Sequence, residues 1–222
     1  MKVIDLSMLL LVLFSITLQL VREYKNKYIK QCIAMFSCLV STTASQIFYD
    51  LVVDCNYILI TLFAIVIIIN IACLIKTVGL YIPNSSMRLK DYVVASLLIL
   101  LLLLPLRRTT FALFEYDITY ITISIVIYCI SAITEEVAFR LSFVKNFLPE
   151  NRLESIVDKG PSFLDFALIA GISLIFAFAH FEFSFKVIYT RVFFSVISIF
   201  ILAITRKVSV LIIIHFINNI LT

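Results

Sequence analysis

Glycine and proline are scarce in this chain of 222 residues, with three of the first (Gly79, Gly160, Gly171) and four of the second. A membrane β-barrel needs a turn about every ten residues, and turns draw on those two residue types. Their scarcity argues against a barrel and for long helices, whose backbone groups are satisfied within one segment. Charge is also scarce, at 14% of residues, while 63% are hydrophobic and mean hydropathy is +1.13. A soluble domain carries about 25% charged and about 45–50% apolar residues. The composition therefore indicates an integral membrane protein with the lipid bilayer as its surroundings. The net charge of +4 is modest, and no sustained basic patch with interleaved aromatics occurs. No nucleic-acid partner is expected. The five cysteines (Cys32, Cys38, Cys55, Cys73, Cys129) are odd in number and lack Cys-x-x-Cys spacing. They read as small buried hydrophobes rather than as disulfides or metal ligands.

A bilayer core of about 30 Å takes about 20 helical residues. On that ruler the apolar runs predict spans at 3–21, 31–53, 57–75, 91–106, 118–147, 163–181, 187–205 and 207–222. The expected fold is all-α, a polytopic bundle of about eight transmembrane helices forming a single integral membrane domain over 1–222. The fifth run is longer than a simple span and is expected to tilt or to leave the membrane at its C-terminal end. No small-x-small cleavage pattern follows the first run, which reads as a retained span rather than a signal peptide. With alternating spans, the loops after odd-numbered spans hold thirteen lysines and arginines, from Arg22 to Lys207. The opposite side holds four: Lys2, Arg107, Arg108 and Lys186. That asymmetry places the first group in the cytoplasm and both termini outside, in a multi-pass protein of a bacterial plasma membrane.

The charges that are present inside apolar runs carry the functional message. Glu135, Glu136 and Arg140 directly follow the run Ile121–Ile133. A charge at membrane depth costs roughly 2.5–3.5 kcal/mol on translocon scales, so such groups usually face a cavity or a partner. On a regular helix Glu136 and Arg140 lie on one face, and Arg140 can neutralise Glu136. Glu135 is rotated by about 100° and stays available for chemistry. The chain has two histidines, and both also lie in apolar runs. Phe176 sits one turn before His180 and can wall its imidazole. His215 and Asn219, four residues apart, point the same way from the last span. Taken singly, each feature has a plain reading: a helix end reaching interfacial water, an interfacial histidine, or interhelical glue. Taken together, spans five, six and eight can hold Glu135, His180, His215 and Asn219 around one cavity. A carboxylate, two imidazoles and an amide are the groups that water activation and oxyanion stabilisation require.

The order Glu135-Glu136-Val137-Ala138-Phe139-Arg140, then Phe176-Ala177-Phe178-Ala179-His180, then His215-Phe216-Ile217-Asn218-Asn219 resembles the CPBP family of intramembrane proteases. That family includes CAAX prenyl endopeptidases and bacterial relatives linked to bacteriocin processing and self-immunity. The likeness covers residues 118–222, and Leu141 stands where members commonly carry glycine. The resemblance implies an intramembrane endopeptidase acting on a peptide or protein that enters from the membrane or its surface. By resemblance, Glu135 with His180 activates a water and His215 with Asn219 steadies the oxyanion. Glu136, Arg140 and Phe176 support the cavity. No cofactor is expected on this reading. The metalloprotease alternative is a zinc ion held by His180, His215 and Glu135. Two further alternatives stay open: a non-catalytic self-immunity protein of the same fold, and a small ion- or proton-coupled transporter using Glu135, Glu136 and Arg140 as a relay. A relay would spread its acids over several depths, and only Asp5 and Asp50 lie elsewhere within spans, away from span ends.

Overall fold

The computed structural model describes residues 3–20, 26–53, 57–80, 82, 88–103, 118–180 and 184–221. Among them no strand occurs, and every element is a helix. Four helices make up the first part: α1 (Val3–Leu20), α2 (Lys27–Val53), α3 (Tyr57–Val78) and α4 (Leu89–Leu103). Then α5 (Ile118–Glu135) runs through a π-helical turn, Glu136–Leu141, into α6 (Ser142–Phe147). The remaining helices are α7 (Glu150–Lys159), α8 (Phe163–Phe178), α9 (Phe185–Thr205) and α10 (Val208–Leu221).

Three described stretches are long and apolar enough to cross a membrane: Thr61–Val78, Ile121–Phe147 and Phe185–Thr205. A fourth arises if α7 and α8, bent by 103°, are counted as one broken span. The expected total of about eight is therefore not reached on length and composition. Apolar segments of α1 and α10, Leu10–Gln19 and Val208–Ile220, are shorter than a full span. Thr42, Thr43 and Ser45 dilute α2 despite its 27 residues. The side chains of Asp5 and Asp50, and residues 104–117 with Arg107 and Arg108, lie outside the described ones.

The bend between α7 and α8 has a local cause. Gly160 closes α7 with φ +86°, a left-handed value that costs glycine little. Pro161 cannot continue the helix. Ser162 then caps α8: its hydroxyl accepts from the Asp165 N–H at 3.2 Å, and Asp165 accepts from the Ser162 N–H at 3.1 Å.

Two apolar cores flank α2. One joins α1, α2 and α3 through Val12, Ile16, Val40, Ala44, Phe63 and Ile67. Lipid gives packed helices little hydrophobic drive, so buried polar bonds take part of that role. Here Asn70 of α3 is the hub. Its Oδ1 accepts from Ser15 at 3.0 Å and Gln19 at 2.8 Å, and its Nδ2 donates to Ser41 at 2.7 Å. The second core surrounds the π turn, where Val137, Ala138, Phe139 and Leu141 meet Ile199, Ile201 and Leu202 of α9 and Leu211 and Ile214 of α10.

The ends of several helices gather at one end of the bundle. Lys145 donates to the carbonyls of Val78 and Gly79 at 2.7 and 3.0 Å, joining α6 to the end of α3. Arg88, before α4, pairs with Asp158 of α7, and both line a pocket with Arg206, which follows α9. The loops after α3, α6 and α9 thus lie on one side.

Candidate active site

The site forms where a single irregular helix turn meets two histidines brought in by α8 and α10. Glu135 ends the regular part of α5, and Glu136 begins the π turn. A π turn takes one more residue than an α turn, is rare, and commonly marks functional positions. Every residue from Thr134 to Val144 is buried, the two acids and Arg140 included.

Glu135 faces both histidines. Its Oε2 lies 3.4 Å from His180 Nε2 and 3.6 Å from His215 Nε2, while its Oε1 accepts from the Ser131 hydroxyl one turn earlier. These are contact distances with no room for a water between the groups, so a reacting water must lie beside the pair, on the cavity side. Glu136 stands behind His215: Oε1 is 2.6 Å from Nδ1 of that ring. The same oxygen lies 3.5 Å from Arg140 Nη1, an ion pair with both partners fully buried. Arg140 also stacks on Phe176, with its guanidinium carbon 3.6 Å from the ring centroid. Phe176 therefore packs against two polar groups of the site, since its ring also meets His180 edge-on at 4.8 Å between centroids. Phe194 of α9 packs against His215 at 5.1 Å between centroids.

The hydrogen bonds restrict the proton arrangement. His180 Nδ1 is 2.9 Å from the Phe176 carbonyl, which can only accept, so Nδ1 carries the hydrogen. With Glu136 ionised, the same holds for His215 Nδ1. Each Nε2 of a neutral ring then turns a lone pair toward Glu135 Oε2, itself an acceptor and without a hydrogen-bond partner. A proton shared among Glu135 and the two rings, or a water donating to them, resolves that conflict. Either answer is the makings of an acid–base site.

Two cavities meet here. One, of about 310 Å³, is walled by Cys38, Thr42 and Thr43 of α2 together with Ser131, Glu135 and His180. The other, of about 340 Å³, lies between α4, α8, α9 and α10 and is lined by Phe176, His180, Phe194, His215 and Asn219. His180 borders both. The expected set is thus brought together, but Glu135 and Asn219 face different cavities rather than one.

As to a metal, both Nδ1 atoms are held by acceptors, an orientation that also suits metal-bound imidazoles. Yet no group of three His, Cys, Asp or Glu among the described residues is arranged to hold an ion. Glu135 Oε2 lies 3.4 and 3.6 Å from the two Nε2 atoms, close to the about 3.3 Å that separates two ligands of a tetrahedral zinc.

Several contributors were not apparent from the sequence. Ser131 had a visible signal, as a hydroxyl four residues before Glu135. The pairing of Glu136 with His215, the wall supplied by α2 and the stacking of Phe194 had none, because they depend on contacts between distant segments. Leu141 is fully buried at the end of the π turn, where it joins the core.

Residues 117–221 match the family model described as Type II CAAX prenyl endopeptidase Rce1-like. No curated protein and no solved structure matches the chain.

Proposed function

Because residues 117–221 match the Rce1-like type II CAAX prenyl endopeptidase model, we propose that the protein is an intramembrane endopeptidase of the CPBP type using a glutamate–histidine site, with CAAX-type peptides as its substrate class. One observation carries the reading: a buried carboxylate, Glu135, in contact with the Nε2 atoms of both histidines in the chain. In this scheme a water enters beside Glu135 and His180, which take its proton as its oxygen attacks the scissile carbonyl carbon. His215, oriented by Glu136 and carrying the shared proton on Nε2, and Asn219 donate to the tetrahedral oxyanion. The proton held by Glu135 and His180 passes to the leaving amine as the C–N bond breaks. Two charged, mutually paired groups at depth, Glu136 and Arg140, keep the geometry. The plasma membrane is the proposed location.

The test is cleavage of a fluorogenic prenylated CAAX-type peptide by purified protein in nanodiscs. Wild type should cut and Glu135→Gln should not, although Gln keeps the size of the side chain and binding of peptide persists. A chelator should leave the rate unchanged. Loss of activity on chelation, restored by zinc, would replace the glutamate scheme with the metal one. A self-immunity role predicts instead that Glu135→Gln protects cells fully and that neither form cleaves.

A further inference from the structure

A π turn that returns to α geometry passes over one carbonyl, and this one is buried beside the site. At the end of the turn the Ser142 N–H bonds to the Val137 carbonyl, five residues back. From Ser142 the chain is α-helical, with bonds running four residues back. The next donor, Phe143, therefore belongs to Phe139, and the carbonyl of Ala138 is left without a helical partner. Gln31 of α2 supplies one: its Nε2 donates to that carbonyl at 2.9 Å. The other end of the same amide is also engaged, because Gln31 Oε1 accepts from the Ser142 hydroxyl at 2.8 Å. Asn146 Nδ2 donates to Ser142 Oγ at 3.1 Å and completes the group. Gln31 is 5% exposed and lies well outside residues 117–221. The amide side chain gives a hydrogen to the carbonyl from its nitrogen and accepts one from the hydroxyl at its oxygen.

We infer that Gln31 is a positioning residue of the proposed reaction, clamping the π turn that sets Glu135 toward both histidines and Glu136 behind His215. Were the turn to relax into an α-helix, α5 would rotate against α6 by about one residue, roughly 100°, and shift by about 1.5 Å. The two acids could not then both keep their imidazole partners. The inference rests on the reading of Glu135 as the group that activates water, but the clamp itself can be measured without activity.

The experiment compares wild type, Gln31→Met and Ser142→Ala in nanodiscs. Met preserves length and apolar bulk while removing donor and acceptor, and Ser142→Ala removes only the anchor of the Gln31 amide. Two readouts are taken: hydrogen exchange resolved by segment, and kcat and KM on the prenylated peptide. Gln31→Met should speed exchange at residues 138–144 only, with the thermal midpoint near that of wild type. It should lower kcat about 10–100-fold, the scale of a misplaced catalytic group, with KM within about twofold. Ser142→Ala should move both readouts in the same direction and less far. Unchanged exchange and kcat in folded Gln31→Met would overturn the inference, as would uniformly faster exchange with activity lost in proportion to folded protein. If Gln31→Met does not fold, Ser142→Ala decides by the same criteria. If wild type fails to cut the peptide, the proposed function fails, while local or unchanged exchange still decides for or against the clamp.

Discussion

Glu136 links an imidazole to a guanidinium within the site. Its carboxylate touches an imidazole nitrogen at 2.6 Å and a guanidinium at 3.5 Å, with no exposure to solvent. Removing one member of a buried pair strands the other, at about 3–5 kcal/mol. Arg140→Ala should therefore lower the thermal midpoint and the folded yield of solubilised protein sharply. Arg140→Met combined with Glu136→Gln removes both charges together and should recover most of that stability. It should not recover cleavage, because His215 would still lack its carboxylate. A double variant that cuts as well as wild type would show that Glu136 has no part in the chemistry. Asn219 supplies only a donor to the oxyanion in the proposed scheme. Asn219→Ala should leave residual cleavage, reduced by about 10²–10³ as for a comparable donor. Complete loss, equal to that of Glu135→Gln, would move Asn219 into the proton-transfer step.

At the level of helices, α2 connects the two cores: it contacts α1 and α3 on one side and α5, α6 and the π turn on the other. The Asn70 network fastens the first side. Interhelical hydrogen bonds in membranes average about 0.6 kcal/mol, with a maximum near 1.7. Asn70→Val breaks several bonds at once and leaves Gln19 and Ser41 without the partner they share. It should destabilise the protein by about 1–3 kcal/mol, read from thermal unfolding in detergent, with kcat per folded molecule preserved. A matching fall in kcat would show that α1 and α3 act on the site through α2.

For the whole molecule, the gathered loops give a specific expectation of orientation. Lys145 meets the end of α3, and Arg88, Asp158 and Arg206 line one pocket, so Lys145, Arg88 and Arg206 lie toward one end of the bundle. That end is the proposed cytoplasmic side. In a background without the native cysteines, Lys159→Cys should react with a membrane-impermeant maleimide only after cells are permeabilised. Labelling in intact cells would invert the orientation.

Much of the site could be read from residue order, because charge in an apolar run is expensive wherever the run folds. Glu135, Glu136, Arg140, His180 and His215 stood out for that reason, and the membrane character followed from composition. The i,i+4 link from Glu136 to Arg140 was also legible, since it is local to one helix. The number of spans was harder to read, because several apolar runs form helices too short to cross a bilayer. Among the described residues α4 has 15 residues and α8 has 16, and the apolar parts of α1 and α10 are shorter than a full span. The π turn gives no periodic signal, and uniform α geometry left Glu136 answering to Arg140 alone. Only the packing of α10 against that turn brings His215 to both acids, and only the packing of α2 brings Gln31 to the carbonyl of Ala138. Such contacts join segments about 80 to 110 residues apart. Local propensity and spacing contain no information about which distant side chain will meet an unpaired backbone group; shape complementarity between whole helices selects it.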